Sequence, residues 1–485
     1  MLQALSAPST LHALSAAPRL VSRRSALGPH EQLYRRLLQP RLDAQALDAA
    51  ATYLDESLRA VAADPVDLPE RPEQLHEWME DGAHTVMQRY GEYMKEREHG
   101  APRRFFFNRA HALYFLRMVA PTKLVDGSWL WGLTAQADNP RLAPLVRTYL
   151  EELGDGDPAK NHVLLYRRLL EGLGLDQERA APDAAWQQGA IQLALGCQAE
   201  RYLPEVVGFN LGYEQLPLHL LITAYELDEL GIDPYYFTLH VTVDNGASGH
   251  ARQACDAVLG LLPRYGDADA FWHRVREGAK LGCVGMGTTE AIDGFDARTE
   301  VVRILTDKAP LGAGAHANHC RLGGRSINDW LREPEGMDSF LQQLERAPGW
   351  LRLGEPPADS RFWQLLQGER AQMFGVFSPY ELQVIHDWIR GDDSADGLPF
   401  TEAAATNQGT RRPRFRALQA RAARAKASAA ALPGLELDPD LADFKRAWAR
   451  GDGASRSALM VEALGPASHW TPAGLHATRL FAARA

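Results

Sequence analysis

Cysteine is scarce in this chain. Cys197, Cys255, Cys283 and Cys320 are the only four among 485 residues, and no two stand as Cys-x-x-Cys. That scatter excludes a disulfide framework, a structural zinc knuckle and an iron–sulfur cluster, and it makes a reducing cytoplasm the expected compartment. Long apolar runs are missing as well. No stretch approaches the roughly 20 residues needed to span a bilayer, so a membrane is not an expected partner. Positive charge is not in excess: the formal net charge is -10, and the basic residues are dispersed except between Arg411 and Lys426, which removes the electrostatic basis for binding nucleic acid. Gly282, Gly285 and Gly287 do not form a Gly-x-Gly-x-x-Gly after a strand, so no dinucleotide site is expected. Acidic residues are absent before Glu31, where Arg19, Arg23 and Arg24 sit among Ala, Ser and Leu. The segment 1–30 faintly mimics a transit peptide and is read as a disordered tail.

Helical periodicity is what the chain has in quantity. A hydrophobic content of 45% and this length suit a globular protein of two or three units around a sizeable core. Segment 31–100 reads as an N-terminal helical extension, with Leu33, Leu37, Leu38 and Leu42 at helix spacing and a second amphipathic stretch from Glu73 to Glu98. A core follows over 101–262, with helices near Phe105 to Met118, Asn139 to Leu153, Pro158 to Leu173, Ala184 to Gln198, Leu203 to Leu230 and Tyr235 to Leu262. Segment 263–400 has a glycine-rich, shorter-element texture and reads as an accessory region. Segment 401–485 is Ala-, Arg- and Pro-rich, with weaker order expected after Asp392 and a helix from Pro413 to Ala431. Strand alternation is scarce and no internal repeat is present, so the expected fold class is all-α.

The chemistry-bearing residues lie in the core. His240 and Asp244 are four apart, so an imidazole and a carboxylate share one helix face. Glu214 follows Phe209-Asn210-Leu211-Gly212-Tyr213, whose apolar and small neighbours imply burial; a buried carboxylate is costly unless it is paired or metal-bound. The turn Gly231-Ile232-Asp233-Pro234 makes the flanking helices antiparallel, which lets Glu214 and His240 converge. Upstream, Glu151 and Glu152 precede the break Gly154-Asp155-Gly156-Asp157-Pro158, with Asp157 expected as an N-cap and Pro158 at the first helical position. The break allows a glutamate there and His162 to face one centre. Glu151 and Glu152 point about 100° apart on a helix, and the choice between them stays open.

In order and spacing these residues resemble the haem-oxygenase-like non-haem di-iron oxidases and oxygenases, specifically the longer members of that iron-containing redox family. The phrases that carry the resemblance are Glu-Glu-Leu-Gly-Asp-Gly-Asp-Pro, Gly-Phe-Asn-Leu-Gly-Tyr-Glu and Leu-His-Val-Thr-Val-Asp-Asn-Gly-Ala-Ser-Gly-His, between Leu116 and Leu262. The resemblance implies a haem-oxygenase-like helical bundle holding two Fe(II) ions, with dioxygen as co-substrate and Glu152, His162, Glu214, His240 and Asp244 as ligands. Hard carboxylates would neutralise and bridge such ions while imidazoles leave positions open; Glu152 and Glu214 are the expected bridges. The family's second histidine after the Asp is replaced by Ala247, and His250 is the substitute if a π-type bulge near Asn245-Gly246 and Gly249 turns it inward. Asp126 is the carboxylate expected from an earlier helix, the alternative being a turn cap beside Gly127. The implied substrate is a small metabolite, a free amino acid that is desaturated, cyclised or N-oxygenated in natural-product biosynthesis. Lys123, Arg321 and Arg325 are candidates for holding its carboxylate. Further expectations are an external electron donor such as a reductase or ferredoxin, and a homodimer.

Other constellations compete with this one. Glu73 with His76 and Glu96 with His99 are Glu-x-x-His pairs of the ferritin-like di-iron kind. His386-Asp387 echoes a metal phosphohydrolase pair, and His316, His319 and Cys320 form a donor group short of a fourth member. A catalytically silent helical metal-binding or interaction protein keeps the same fold without the activity.

Overall fold

The computed structural model describes residues 27–176, 181–243, 249–317, 319–367, 371–391 and 438–484. The architecture is helical throughout, with a two-stranded antiparallel hairpin, Arg321–Leu322 and Arg325–Ser326, as the only sheet among the described residues. A central group of helices is flanked by helical regions on both sides. The helices before the core are α1 (Pro29–Leu37), α2 (Ala44–Val61) and α3 (Leu75–Glu98). The core comprises α4 (Arg109–Met118), α5 (Ala120–Lys123), α6 (Ala143–Glu152), α7 (His162–Gly172), α8 (Gln187–Cys197), α9 (Leu203–Tyr213), α10 (Leu218–Glu229), α11 (Tyr235–Val243), α12 (His250–Leu261) and α13 (Ala268–Lys280). Then come α14 (Thr288–Asp293), α15 (Ala297–Gly312), α16 (Ile327–Leu331), α17 (Met337–Arg346), α18 (Arg361–Gln367) and α19 (Pro379–Arg390). The chain closes with α20 (Pro439–Arg450), α21 (Gly453–Ala463) and α22 (Pro472–Ala482). No helix among the described residues is long and apolar enough to cross a membrane.

Two large apolar cores meet in the middle of the molecule. One gathers α1, α2, α6, α8, α9, α12 and α13, and takes in Phe444, Met460, Leu464, Ala477 and Phe481 from the C-terminal helices. The other gathers α4, α7, α10 and α11 with the buried faces of α14 to α19. The tightest helix crossing is α9 against α13, where a Cβ on Gly208 would strike the Val275 carbonyl and one on Gly278 would strike the Glu205 backbone. Only the hydrogen side chain allows that approach. It ties α13 into the domain, past the boundary at Leu262 expected from the sequence.

Several expected helices are interrupted. The span Leu203 to Leu230 is two helices, parted at Glu214–Pro217 because Pro217 lacks an amide hydrogen and its ring disfavours continuation. Helix α7 begins at His162 rather than Pro158: Asn161 is its N-cap, accepting from the Leu164 amide at 2.9 Å, while Asp157 closes a turn by accepting from the Ala159 amide at 2.9 Å. The helix expected over Tyr235 to Leu262 is described as α11 and α12, the latter entered through extended Gly249. The helix expected from Pro413 to Ala431 lies outside the described residues. Weaker order does not hold for 438–484, where three helices pack on the first core; the Asp438 and Asp452 carboxylates cap the first two.

Burial of His111 in α4 carries a stability prediction. Its Nε2 lies 2.8 Å from the Ile292 carbonyl and its ring stacks on Phe295. Burial pushes its pKa from 6.5 down to about 4. The unfolded chain therefore binds this proton first, so the contribution is intact above pH 6.5 and is lost as the pH falls toward 4. Between pH 7 and pH 5 the metal-free protein should lose about 2 kcal/mol from this group. Denaturant melts of His111→Gln, which keeps a donor for Ile292 without titrating, should show that much less loss.

Candidate metal centre

The seam between the two cores is where the polar residues converge. Asp126, Glu152, His162 and His240 offer ligand atoms all within 4.8 Å of one another, as do Glu152, Glu214 and His250, and every one of these side chains is buried. Glu152 belongs to both groups. The structure therefore brings together six of the seven residues the sequence singles out; the seventh, Asp244, lies outside the described residues.

Local chemistry explains how each arrives. Glu152 is the last residue of α6. Arg147, one turn earlier, pairs with Glu151 at 2.9 Å and with Asp155 at 2.6 Å, which keeps Glu151 toward the rim and leaves Glu152 facing inward with 3% exposure. Asp155 is the one non-glycine described residue with positive φ, and the same arginine fixes it there. Asn161 places His162 at the start of α7 and also donates to the Leu153 carbonyl at 3.2 Å, joining the two ends of the turn. Asp126 precedes Gly127, whose φ is 77° and where a Cβ would come within 2.9 Å of the Glu152 Cβ. Asp126 does not serve as a turn cap; its Oδ2 accepts from the Tyr236 hydroxyl at 2.7 Å and faces His240 Nε2 at 3.1 Å. His250 reaches the centre as the first residue of α12, entered through extended Gly249; Asn245 and Gly246, where the bulge was expected, lie outside the described residues.

The donor set fits cations. His240 Nδ1 lies 2.8 Å from the Tyr236 carbonyl, which can only accept, so the neutral ring carries its proton there and presents a lone pair from Nε2 to Asp126. His250 shows the same conflict: Nε2 is 2.9 Å from Glu151, while Nδ1 is 3.1 Å from Glu214 and 3.2 Å from Glu152. A neutral imidazole has one proton for two carboxylate-facing edges, and a cation at the other edge resolves the clash. Glu151 then takes the outer position, orienting the ring through Nε2–H as carboxylates commonly do behind a metal-bound histidine. His162 Nδ1 contacts Glu152 directly, and its ring lies 4.2 Å from that of His240.

Electrostatics agree with this reading. Burial opposes ionisation of Glu152, yet His162 and His250 hold its carboxyl well below the usual range. Burial likewise opposes ionisation of Asp126, which the Lys123 charge and the His240 contact reverse. Glu151 is brought down to about 2 against partial burial by His250 and Arg147. Two buried carboxylates and a third at the rim are thus kept anionic at one place, a grouping that is costly without positive charge to match.

Residues 113–283 match a family model described as iron-containing redox enzyme. This segment is similar to that family over about a third of the chain. All seven candidate ligands fall inside it, and its far end includes α13. No curated protein and no solved structure matches the chain.

The rival constellations do not assemble around this segment. His76 pairs with Asp256 at 3.1 Å. Glu96 pairs with Arg104 and His99 closes on the Lys95 carbonyl, both at an exposed helix end. Asp387 caps α4 through the Ala110 amide at 2.9 Å and binds His386, a structural joint between α19 and α4. The groups that could hold a metal among the described residues include none of His316, His319 and Cys320. Arg321 and Arg325 lie on the hairpin, where Arg325 pairs with Glu333 and covers Trp330, whereas Lys123 stands beside the centre.

Sequence reasoning missed three contributors. Tyr236 holds both Asp126 and His240, and its signal was its place one turn before His240. Asn161, a capping residue directly before a candidate ligand, was equally visible. His469, from the loop before α22, packs on Asn161 at 3.2 Å; nothing in its surroundings distinguished it.

Proposed function

We propose that the protein is a non-haem di-iron oxidase or oxygenase that uses dioxygen on a small metabolite. The observation that carries this reading is the sharing of Glu152 between two buried carboxylate–histidine groups, the arrangement a bridging ligand needs. Asp126, His162 and His240 would hold one iron, and Glu214 and His250 the other. Two ferrous ions, when bound, supply the electrons for reducing dioxygen. The chain's own part is to orient and enclose them: the Tyr236 carbonyl fixes the His240 tautomer, the Tyr236 hydroxyl fixes Asp126, Glu151 sets the His250 ring, and the two apolar cores exclude bulk water. Asp244 is a further ligand in this proposal, four residues beyond His240. The substrate is a free amino acid, undergoing desaturation, cyclisation or N-oxygenation, with a reductase or ferredoxin restoring the ferrous state.

Anaerobic titration with ferrous iron tests the centre. Close to two ions per chain should bind, and mixing with oxygenated buffer should give a transient visible absorption; absence of both leaves a catalytically silent helical protein as the better description. Mass spectrometry of reactions with the free amino acids, scoring loss of two mass units against gain of sixteen, then tests the substrate. Turnover on fatty acids or simple amines, with none on amino acids, rejects that class.

A further inference from the structure

The turn that joins Glu152 to His162 is gripped from behind by a histidine 308 residues beyond its last capping residue. Asn161 is wholly buried, and its carboxamide is fully committed. Oδ1 accepts from the Leu164 amide at 2.9 Å and so caps α7, whose first residue is His162. Nδ2 has two hydrogens. One goes to the carbonyl of Leu153, the neighbour of Glu152, at 3.2 Å; the other faces His469 Nδ1 at 3.2 Å, with the His469 carbonyl further off at 3.5 Å. An amide nitrogen can only donate, so His469 Nδ1 accepts and the neutral ring carries its proton on Nε2. Burial, helped by the Arg167 charge, brings the His469 pKa down to about 3, so the acceptor survives well below neutral pH.

His469 is itself held in place. It is buried, and its backbone runs so close to α22 that a Cβ on Gly474 would strike the Ser468 carbonyl and the His469 Cα. The next residue, Trp470, lays its ring 3.8 Å from the Arg167 guanidinium of α7. Further along, the Leu475 carbonyl stands where a Cβ on Gly156 would be, inside the turn. The segment 464–475 thus touches α6 through Tyr149, the turn through Gly156 and α7 through Arg167, and at His469 it meets the side chain that ties the ends of the turn together. None of it lies within 113–283, where the family similarity and all the candidate ligands are found. Without the ring nitrogen, one Asn161 hydrogen is left unmet in a buried place, which favours turning the carboxamide away. Any such turn gives up the cap on α7 or the tie to Leu153. Either loss frees His162 relative to Glu152, and a metal constellation tolerates only about 0.5 Å of misplacement.

We propose that His469 is a positioning residue of the metal centre: its Nδ1 fixes the Asn161 carboxamide, and Asn161 fixes His162 against Glu152. The number of ions affected rests on the di-iron reading. His162 belongs to the group with Asp126 and His240, so the effect falls chiefly on one binding step, and the ion held by Glu214 and His250 feels it only through the shared Glu152. The C-terminal helices thereby serve the centre without supplying a ligand to it.

The test uses the full-length protein, titrated anaerobically with ferrous ion in competition with a chromophoric chelator. His469→Leu, similar in bulk but without an acceptor, should weaken one binding step by about tenfold or more, the range for losing an outer partner of a ligand, with helical circular dichroism unchanged. His469→Asn, whose Oδ1 can stand in for Nδ1, should restore most of the affinity, which packing alone would not do. Asn161→Ser keeps a cap on α7 but loses both donated bonds; in that background His469→Leu should cost nothing further, because the two residues act as a unit. Nitrogen-15 spectra of the wild type should place the His469 proton on Nε2, a check that needs no variant. Wild-type affinity in His469→Leu, additive losses in the double variant, or a proton on Nδ1 overturns the proposal, and two ions bound by the wild type then leave the di-iron reading intact. A single ion whose affinity depends on His469 overturns the di-iron reading and leaves His469 in its role; a wild type that binds no iron overturns both.

Discussion

Glu152→Ala should remove the binding of both irons and abolish oxygen-dependent turnover, while Glu151→Ala should leave a two-iron site of reduced affinity. The two neighbours differ because Glu152 is buried at the point common to both donor groups, whereas Glu151 is at the rim, shared between Arg147 and the outer edge of His250. Loss of an outer partner costs typically about 10–100-fold in metal affinity, and loss of a shared ligand should exceed that. Neither variant should unfold the bundle, because removing one of several crowded carboxylates relieves repulsion in the metal-free protein. Iron content after desalting, read beside helical circular dichroism, checks both. Two tightly held irons in Glu152→Ala would show that the convergence of carboxylates is not a metal centre.

That contrast also marks how far the sequence reading reached. The convergence of these donor side chains was legible because their spacing survives in the linear order: a glutamate ten residues before His162, Glu214 in an apolar helix, and His240 after an antiparallel turn. The choice of Glu152 over Glu151 was not, since it depends on Arg147 reaching both Glu151 and a left-handed Asp155, a three-body arrangement that periodicity does not encode. The route of His250 was hidden for a similar reason. A histidine six residues past Asp244 was reconciled with one continuous helix by a bulge, whereas extended Gly249 opens α12 at His250. All-α architecture followed from periodicity, whereas the role of the C-terminal segment did not. Its Ala and Arg content resembles a solvated tail, yet Leu464 accepts from the buried Tyr149 hydroxyl and the Leu475 backbone lies against Gly156, directly behind the turn between Glu152 and His162.

Gly127 is where backbone and chemistry meet most closely, and Gly127→Ala should damage the centre without touching a ligand. A left-handed φ of 77° costs an alanine about 1 kcal/mol. The added methyl would also stand 2.9 Å from Glu152 Cβ and 3.1 Å from its Cγ, closer than van der Waals contact permits. Relief requires Glu152 or the Asp126–Gly127 backbone to move, and both carry donors. A destabilisation of about 1–3 kcal/mol is expected, smaller than the effect on metal. Because Glu152 serves both donor groups, its displacement should lower the affinity for the two ions together, which distinguishes steric misplacement of a bridge from loss of one terminal ligand such as His240. Ferrous titrations of Gly127→Ala and His240→Ala check this. The first should weaken both binding steps and the second chiefly one, and a Gly127→Ala protein that binds two irons with wild-type affinity would show that Glu152 has no fixed position to lose.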